Sequence, residues 1–421
     1  MEKTARINFE IILYSSIIGG MVGFVTWLFL EAVSLGIHFI WDTLPNYFNI
    51  NHWTLIMGII GGILVGVIQK YFGDYPKYMN QTLDEFKQNK RVEYESIPKA
   101  IIAALTTLFF GASLGPEAAL TGIVGGSITF VGDKIKSKFK KNNIINEYAE
   151  DITKCSMQAS IGMIFRAPLF GVYTLSDDID KDKSVIKRIK TIIYTVTTIA
   201  GFLVFILLSK IDNMESFVVK FGSSKIGSRE VIFAGILILI AILLGEIYKM
   251  YGKVLHKVLK IFDDKKIIKA LIGGISIGII GTLLPYTLFS GEHELKNLVF
   301  QWNSIGVYML IIIGLVKLLL TEICLSTGWR GGHIFPIIFS GSCIGYALSI
   351  LFSIDPVFSV AIVTTGFVSK AIDNYIVAIV ILIFFFPLNN LLLMILSAVI
   401  GKLSNNLYKN RNNILNDIDR A

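Results

Sequence analysis

Long apolar segments limit this chain to one class of fold. They contain almost no charged residues and cover positions 11–30, 54–68, 191–209, 231–245, 270–289, 335–353 and 375–400. A helix needs roughly 20 such residues to span a bilayer, and several of the segments reach that length. The composition agrees, because 53% of the residues are hydrophobic and only 17% are charged. We therefore predict an all-α integral membrane protein with about ten or more membrane-embedded helices, some of them interrupted.

Two glycine-rich interruptions break this apolar pattern, one in each half of the chain. The first is GASLGPEAALTG at 111–122, and the second is GWRGGHIFPIIFSG at 328–341. Both combine small residues, a proline and an apolar stretch. Interruptions at corresponding positions of two hydrophobic halves are typical of transporters built from inverted-topology repeats, in which the site lies where broken helices meet.

A charged connector at 209–230 separates the two halves. We predict a first membrane repeat at 1–208, a second at 231–411 and a short cytoplasmic tail at 412–421. No segment is long and polar enough to predict a separate soluble domain.

The first interruption has the pattern of a helix start. Gly115 is predicted to be the N-cap and Pro116 the first helical residue. Irregular backbone at membrane depth must be buried in protein or line a watery cavity, so the free N–H groups of this helix would point inward. Such an N-terminus binds an anion with backbone alone. The predicted pore residues at the two interruptions are Ser113, Leu114, Gly115, Pro116, Glu117, Gly332, His333, Ile334 and Phe335.

The net charge of +8 is concentrated in loops. Lysine-rich stretches at 134–141, 181–190 and 253–269, together with the basic C-terminal end, are predicted to face the cytoplasm by the positive-inside rule. We therefore expect a multi-pass protein of the plasma (cytoplasmic) membrane with both termini in the cytoplasm, and no role in nucleic-acid binding.

Cysteine and histidine patterns give no sign of metal or redox chemistry. Cys155, Cys324 and Cys343 lie far apart in or beside apolar segments, and the histidines lack the spacing of metal ligands. No metal site, cofactor or catalytic residue is predicted, so the chain is not expected to be an enzyme.

Several motifs resemble those of the ClC family of chloride channels and proton-coupled chloride antiporters. FRAPLFGVYTLSDD at 165–178 is similar to the family's Phe-Asn-Ala-Pro-Leu-x-Gly segment, and STGWRGGHIFP at 326–336 is similar to its Gly-Ile-Phe-x-Pro segment. GASLGP resembles Gly-Arg-Glu-Gly-Pro, and FGDYP at 72–76 stands where the family has Gly-Ser-Gly-Ile-Pro. The order is kept over most of the chain, which looks like a divergent bacterial branch with SLGPE and RGGxIFP motifs. The resemblance implies a multi-helix ClC-type fold of two inverted-topology repeats with broken, partly spanning helices, assembled as a homodimer in membrane lipid.

The resemblance also raises the question of how the pore is gated. The family's gating glutamate position is occupied by Leu114, which cannot titrate, and this favours passive, channel-like conduction of chloride. Glu117 could replace the gate from a shifted position, or it could only stabilise its own helix end. Asp177 and Asp178 stand where antiporters have the paired acids of a proton path, although solvated helix ends are the alternative interpretation.

Other positions of the motif suggest the inner end of the pore. Gly73, Asp74 and Tyr75 occupy the place of the family's serine-bearing segment, and an aspartate there would repel an anion unless it is turned away or protonated. On the last helix, the implied tyrosine ligand is Tyr408 or, by a literal alignment, Asn405.

Arg330 and His333 flank the second interruption. Arg330 would either raise the local anion concentration at the pore mouth or pair with a lipid phosphate at the interface. His333 would either titrate near neutral pH or simply pack.

The leading function is therefore transport of a small inorganic anion, chloride or alternatively fluoride. A proton-coupled antiporter, a fluoride-selective exporter, a non-transporting scaffold and an intramembrane enzyme remain as alternatives.

Overall fold

The computed structural model describes residues 2–48, 50–138, 148–168, 184–212 and 219–418. Within these ranges all regular elements are helices. Eight helices are long and apolar enough to cross a membrane, and Ile97–Phe109 and Pro356–Ile372 are shorter apolar helices. The prediction of an all-α, multi-span membrane protein is therefore confirmed.

The first half of the chain contains eight described helices. They are α1 Glu2–His38, α2 Leu44–Phe48, α3 Trp53–Phe72, α4 Met79–Asn89, α5 Ile97–Phe109, α6 Glu117–Lys138, α7 Ala149–Ile164 and α8 Ser184–Ile211. A π-helical turn at Phe39–Thr43 joins α1 to α2.

The second half also contains eight described helices. They are α9 Ser228–Leu259, α10 Lys266–Leu283, α11 Glu292–Ile305, α12 Val307–Ser326, α13 Ile334–Phe352, α14 Pro356–Ile372, α15 Tyr375–Leu382 and α16 Leu391–Ile418. Short 3-10 turns follow α9, α10 and α15.

Glycines allow the spanning helices to approach each other closely. Gly58 and Gly62 of α3 face Gly274 and Gly278 of α10, and a Cβ on Gly274 would collide with the Gly58 carbonyl oxygen. Gly19 and Gly23 of α1 similarly contact the α8 backbone at Thr197 and Gly201. Small residues at such contacts let two helix backbones pack directly in a membrane.

α13 is the central helix of the fold. In its most apolar stretch 89% of the residues are buried, compared with 33–44% in the other spans. A helix surrounded by protein on all sides does not need a lipid-facing surface, so its N-terminus can lie at membrane depth.

The two glycine-rich interruptions precede α6 and α13, as the sequence predicts. The start of α6 differs by one residue from the prediction, because Glu117 rather than Pro116 is its first residue. The Pro116 carbonyl accepts the first intrahelical hydrogen bond, from Leu120 N at 3.0 Å. Gly115 is not the cap, because its backbone pairs with the second interruption instead.

Candidate functional site

Gly115 and Gly332 join the two interruptions. Gly115 N donates to Gly332 O at 2.7 Å, and Gly332 N donates to Gly115 O at 2.7 Å, as in an isolated antiparallel β-bridge. The pair brings the N-termini of α6 and α13 together in the protein interior. Both interruptions predicted from the sequence therefore contribute to one site.

The Glu117 side chain fills the space between these two helix starts. Its Oε1 accepts a hydrogen bond from Phe335 N at 3.4 Å, so an acid from α6 sits on the N-terminus of α13. Glu117 is only 1% exposed, and its Oε2 is buried without a hydrogen-bond partner among the described residues. A Cβ on Gly115 or on Gly332 would collide with Oε2. The two glycines therefore form a cradle that fits the carboxylate.

The Glu117 carboxyl group lies where two helix N-termini meet. Each helix N-terminus presents unpaired N–H groups and a partial positive charge, which together favour a negative group. The Glu117 carboxylate takes this position from within the protein. An anion of similar size would have to displace it.

Leu114 and Ser113 both contact residues of the second half of the chain. Leu114 is fully buried, and it packs in an apolar cluster that includes Trp329 and Leu320. Ser113 Oγ lies 2.9 Å from Thr321 Oγ1, in a buried pair of hydroxyls. Ser113 therefore has a hydrogen-bond partner in the protein.

A small cavity lies beside Leu114 and Pro116. Its volume is about 10 Å³, close to that of one water molecule, and Ser290 and Glu292 contribute polar groups to its wall. We call it the small cavity.

The start of α13 is fixed by packing. Ile334 and Phe335 are buried, and the Phe335 ring stacks on Phe165 with 4.7 Å between the ring centroids. Phe165 is the first residue of the FRAPLFG segment, and its ring supports the helix start that binds Glu117. His333, the N-cap of α13, is partly buried, and its ring centroid lies 6.0 Å from that of Tyr248.

A much larger cavity, of about 610 Å³, lies beyond the second interruption. We call it the large cavity. Its charged lining residues are Asp74, Asp263, Lys266, Lys269, Glu322 and Arg330. Glu117 is not one of its lining residues, but Arg330, two residues before Gly332, is.

Arg330 contributes two free hydrogen-bond donors to this region. One guanidinium nitrogen, Nη2, pairs with Asp74 Oδ2 at 3.1 Å, and the guanidinium lies over the Tyr78 ring at 4.4 Å. Nε and Nη1 are buried without a hydrogen-bond partner among the described residues. Unpaired guanidinium N–H groups at a cavity are suited to bind an anion.

Asp74 is held in its charged form by the cations around it. Burial alone would raise the pKa of its carboxyl, but the hydrogen bond from Lys266 and the charges of Arg330, Lys266 and Lys269 outweigh burial and lower the pKa. Its oxygens face Lys266 at 3.0 Å and Arg330, so these cations balance the negative charge of Asp74.

The remaining predicted residues are not all at the site. Gly73 ends α3 with φ 89° and turns the chain toward Asp74. Tyr75 lines a separate cavity of about 20 Å³ beside Lys77 and Thr82.

The predicted inner ligands on α16 differ in how well they are placed. The Asn405 amide donates to Lys370 O at 2.9 Å and to Asp373 Oδ1 at 2.7 Å. Both of its donor hydrogens are therefore used within the protein. Tyr408 belongs to α16, but its side chain lies outside the described residues, as do Asp177 and Asp178.

Sequence analysis missed several residues of the large cavity. Tyr78 follows the FGDYP segment, and Lys266 and Lys269 lie in the first turn of α10, far away in sequence. Glu322 could have been predicted from the sequence, because it is an ionisable residue inside the apolar span Val307–Ser326. Such residues are expected to face a cavity or a partner.

Comparisons with known proteins agree with the fold and the motifs. The family profile described as "Voltage gated chloride channel" matches residues 61–406. The "Putative ion-transport protein YfeO" of Salmonella newport is 24% identical over 351 residues, covering 82% of this chain and 81% of the relative. The corresponding protein of Salmonella typhimurium matches equally well.

Two solved structures have closely similar folds. A CLC-type fluoride/proton antiporter superposes with a TM-score of 0.73 at 18% identity, covering 94% of this chain and 95% of the other. A slow cyanobacterial Cl⁻/H⁺ antiporter gives a TM-score of 0.74 at 18% identity, covering 94% of both chains.

Proposed function

Because the chain belongs to the voltage-gated chloride channel family and is a multi-pass protein of ClC-type anion transport, we propose that it exchanges a small inorganic anion for protons, with Glu117 as the gate. Proteins of this family are transporters and not enzymes, as expected for this chain.

One observation carries the proposal. A buried carboxylate, Glu117, occupies the junction of two helix N-termini, where it accepts a hydrogen bond from Phe335 N and is enclosed by two glycines. It lies three residues after Leu114, the position that the family motif assigns to the gate. The gating group has therefore moved from the loop into the first turn of α6.

The proposed cycle follows from competition between two negative groups. While Glu117 is ionised, its carboxylate holds the site and excludes an anion from it. A proton removes the charge that binds the side chain to the helix N-termini, so the site becomes available to an anion. When the carboxyl loses this proton and returns, it displaces the anion. Each exchange thus links anion movement to proton movement in the opposite direction.

We propose that the large cavity is the cytoplasmic entrance to this site. The basic residues around it, Lys266, Lys269 and Arg330, would raise the local anion concentration. The positive-inside rule supports the related proposal that the protein lies in the cytoplasmic membrane with both termini inside.

Passive conduction is the second candidate, and Leu114 favours it. The family's gate position has no titratable side chain in this chain, so conduction without proton movement would follow if Glu117 never leaves its place beside the ion path. In that case Glu117 would only stabilise the start of α6.

The transported anion is proposed to be chloride, with fluoride as the alternative. The structures with similar folds are described as transporting one or the other. A homodimer in membrane lipid is a further proposal, and the mass of the purified protein in nanodiscs would test it.

Flux measurements in liposomes distinguish the two candidates. Purified protein would be reconstituted in chloride-loaded vesicles, and chloride release and external pH would be recorded together after addition of a potassium ionophore. We expect proton movement opposite to chloride release in the unchanged protein, and chloride release without proton movement for Glu117→Gln. Glu95→Gln, an exposed acid in a loop, is the matched control.

The contrary results are equally specific. Chloride release without proton movement in the unchanged protein, unaltered by Glu117→Gln, would establish passive conduction. Release from fluoride-loaded vesicles alone would assign fluoride as the anion.

A further inference from the structure

A second carboxylate, Glu322, lies in the large cavity near the second interruption. It belongs to α12, close to the C-terminal end of that helix, and it lines the large cavity. Within the described residues it has no ion-pair partner, although Asp74 and Asp263 in the same cavity each pair with a lysine. Partly burying a carboxylate in a membrane span without a cation costs free energy. Such a residue is therefore a candidate functional group.

Tyr248 connects Glu322 to the interior. The Tyr248 side chain is buried, and its hydroxyl lies within hydrogen-bonding reach of the Glu322 carboxylate. Gly252 follows one turn later on α9, and a Cβ there would lie 2.8 Å from Glu322 Oε2. The α9 surface is therefore shaped around this acid.

His333 continues the connection toward Glu117. Its ring centroid is 6.0 Å from the Tyr248 ring. It directly follows Gly332, whose α-carbon packs against the Glu117 carboxylate. Glu322, Tyr248, His333 and Gly332 are therefore consecutive neighbours, and Gly332 contacts the Glu117 carboxylate.

We propose that Glu322 is the proton-exchange group of the large cavity and passes protons to Glu117 along Tyr248 and His333. This inference rests on the proposed proton coupling. A hydronium ion in the cavity gives a proton to the Glu322 carboxylate and becomes water. Glu322 then loses that proton inward, and Glu117 gains one and becomes neutral. The net result is one proton moved from the cavity to Glu117.

Other charged groups around the two acids set the conditions for this transfer. Tyr78, Arg330 and His256 share the cavity with Glu322. On the other side, Glu292 lies near enough to Glu117 for the two carboxylates to repel each other.

The test uses the same vesicle assay with Glu322→Gln. We expect chloride release within about twofold of that of the unchanged protein and proton movement reduced at least about tenfold, because the amide cannot exchange a proton. Tyr248→Phe should reduce the ratio of protons to chloride by a smaller factor. Glu322→Asp should restore most of the proton movement, which a merely structural role would not predict.

Asp263→Asn is the matched control. Asp263 lines the same cavity but is paired with Lys269 at 2.6 Å, so its substitution should leave the ratio of protons to chloride unchanged. If Glu117→Gln abolishes proton movement and Glu322→Gln does not, the proposed function stands and the role of Glu322 is wrong. If the unchanged protein moves no protons, both proposals are wrong.

Discussion

At the scale of single residues, Gly332 determines where the Glu117 carboxylate can lie. The Gly332 backbone does not have a positive φ, so alanine can adopt its conformation. The added methyl group would, however, collide with Glu117 Oε2. The carboxylate must then leave the junction of the two helix starts.

We therefore predict that Gly332→Ala reduces proton movement per chloride by about tenfold or more, as Glu117→Gln does. In a Glu117→Ala background, the same glycine substitution should add little, because the two changes act on one contact. Gly132→Ala is the control. Gly132 also lies in α6, but a Cβ added to it would have no other atom within 4 Å. Full coupling in Gly332→Ala would show that the carboxylate lies elsewhere during transport.

Sequence analysis predicted which segments form the site, but not which side chain occupies it. Gly115 and Gly332 can be identified from the sequence because each lies in a Gly-rich break of an apolar segment. The place of Glu117 depends on contacts with Phe335 and Gly332 from the other half of the chain. Such contacts are not visible in a local pattern, which shows only an acid in a first helical turn.

At the scale of elements, the direct packing of α3 on α10 supports the loop that carries Asp74. A Cβ on Gly274 would collide with the Gly58 carbonyl oxygen, and backbone atoms cannot move aside as a side chain can. We predict that Gly274→Ala lowers the free energy of unfolding by about 2 kcal/mol or more. Thermal unfolding in detergent would measure the change.

Gly235→Ala should instead raise the free energy of unfolding. Gly235 is an exposed helical residue of α9 with open space around it, so alanine should stabilise the helix by up to about 1 kcal/mol. Equal shifts in the two variants would mean that α3 and α10 are not in backbone contact.

The loops after α3 and before α13 meet at Arg330, which we expect to concentrate anions in the large cavity. Arg330→Gln removes the two unpartnered N–H donors and the charge while keeping most of the side-chain volume. We predict that chloride flux at low chloride falls about fivefold to thirtyfold, as expected for the loss of about 1–2 kcal/mol of charge-assisted binding. The deficit should shrink at high chloride.

Arg91→Gln is the matched control, because Arg91 is a surface arginine paired with Asp133. Flux through Arg330→Gln that equals the control at every chloride concentration would contradict this role.

The arrangement around Arg330 also shows the limit of the motif comparison. From FGDYP alone, Asp74 was expected to repel an anion unless turned away or protonated. The structure turns it toward Lys266 and Arg330 and keeps it charged. Lys266 belongs to α10 and Arg330 to the segment before α13, both in the second half of the chain. The FGDYP segment alone therefore could not predict these contacts.

At the scale of the whole molecule, the apolar segments were sufficient to predict the class of fold. The requirement that backbone groups be paired in lipid leaves helices as the solution for such segments. The central position of α13 was not predictable, because hydropathy gives a similar value for this helix and for spans with a lipid-facing side.

Orientation in the membrane gives the last prediction. Asn51 lies just before α3, and Asp74 lies just after it, at the other end of the helix. The exposed loop with Asp264 lies at the Asp74 end, beside the large cavity. If this side is cytoplasmic, a membrane-impermeant maleimide should label Asn51→Cys in intact cells. It should label Asp264→Cys only after permeabilisation.

The three native cysteines provide a low background for this experiment. Cys155, Cys324 and Cys343 are fully buried, so the unchanged protein should remain unlabelled in both conditions. Labelling of Asp264→Cys in intact cells would place the large cavity outside. In that case Glu322 would exchange protons with the external medium, and the basic loops would contradict the positive-inside rule. Labelling of Asn51→Cys alone would instead place Arg330 and Glu322 where cytoplasmic anions and protons reach them first.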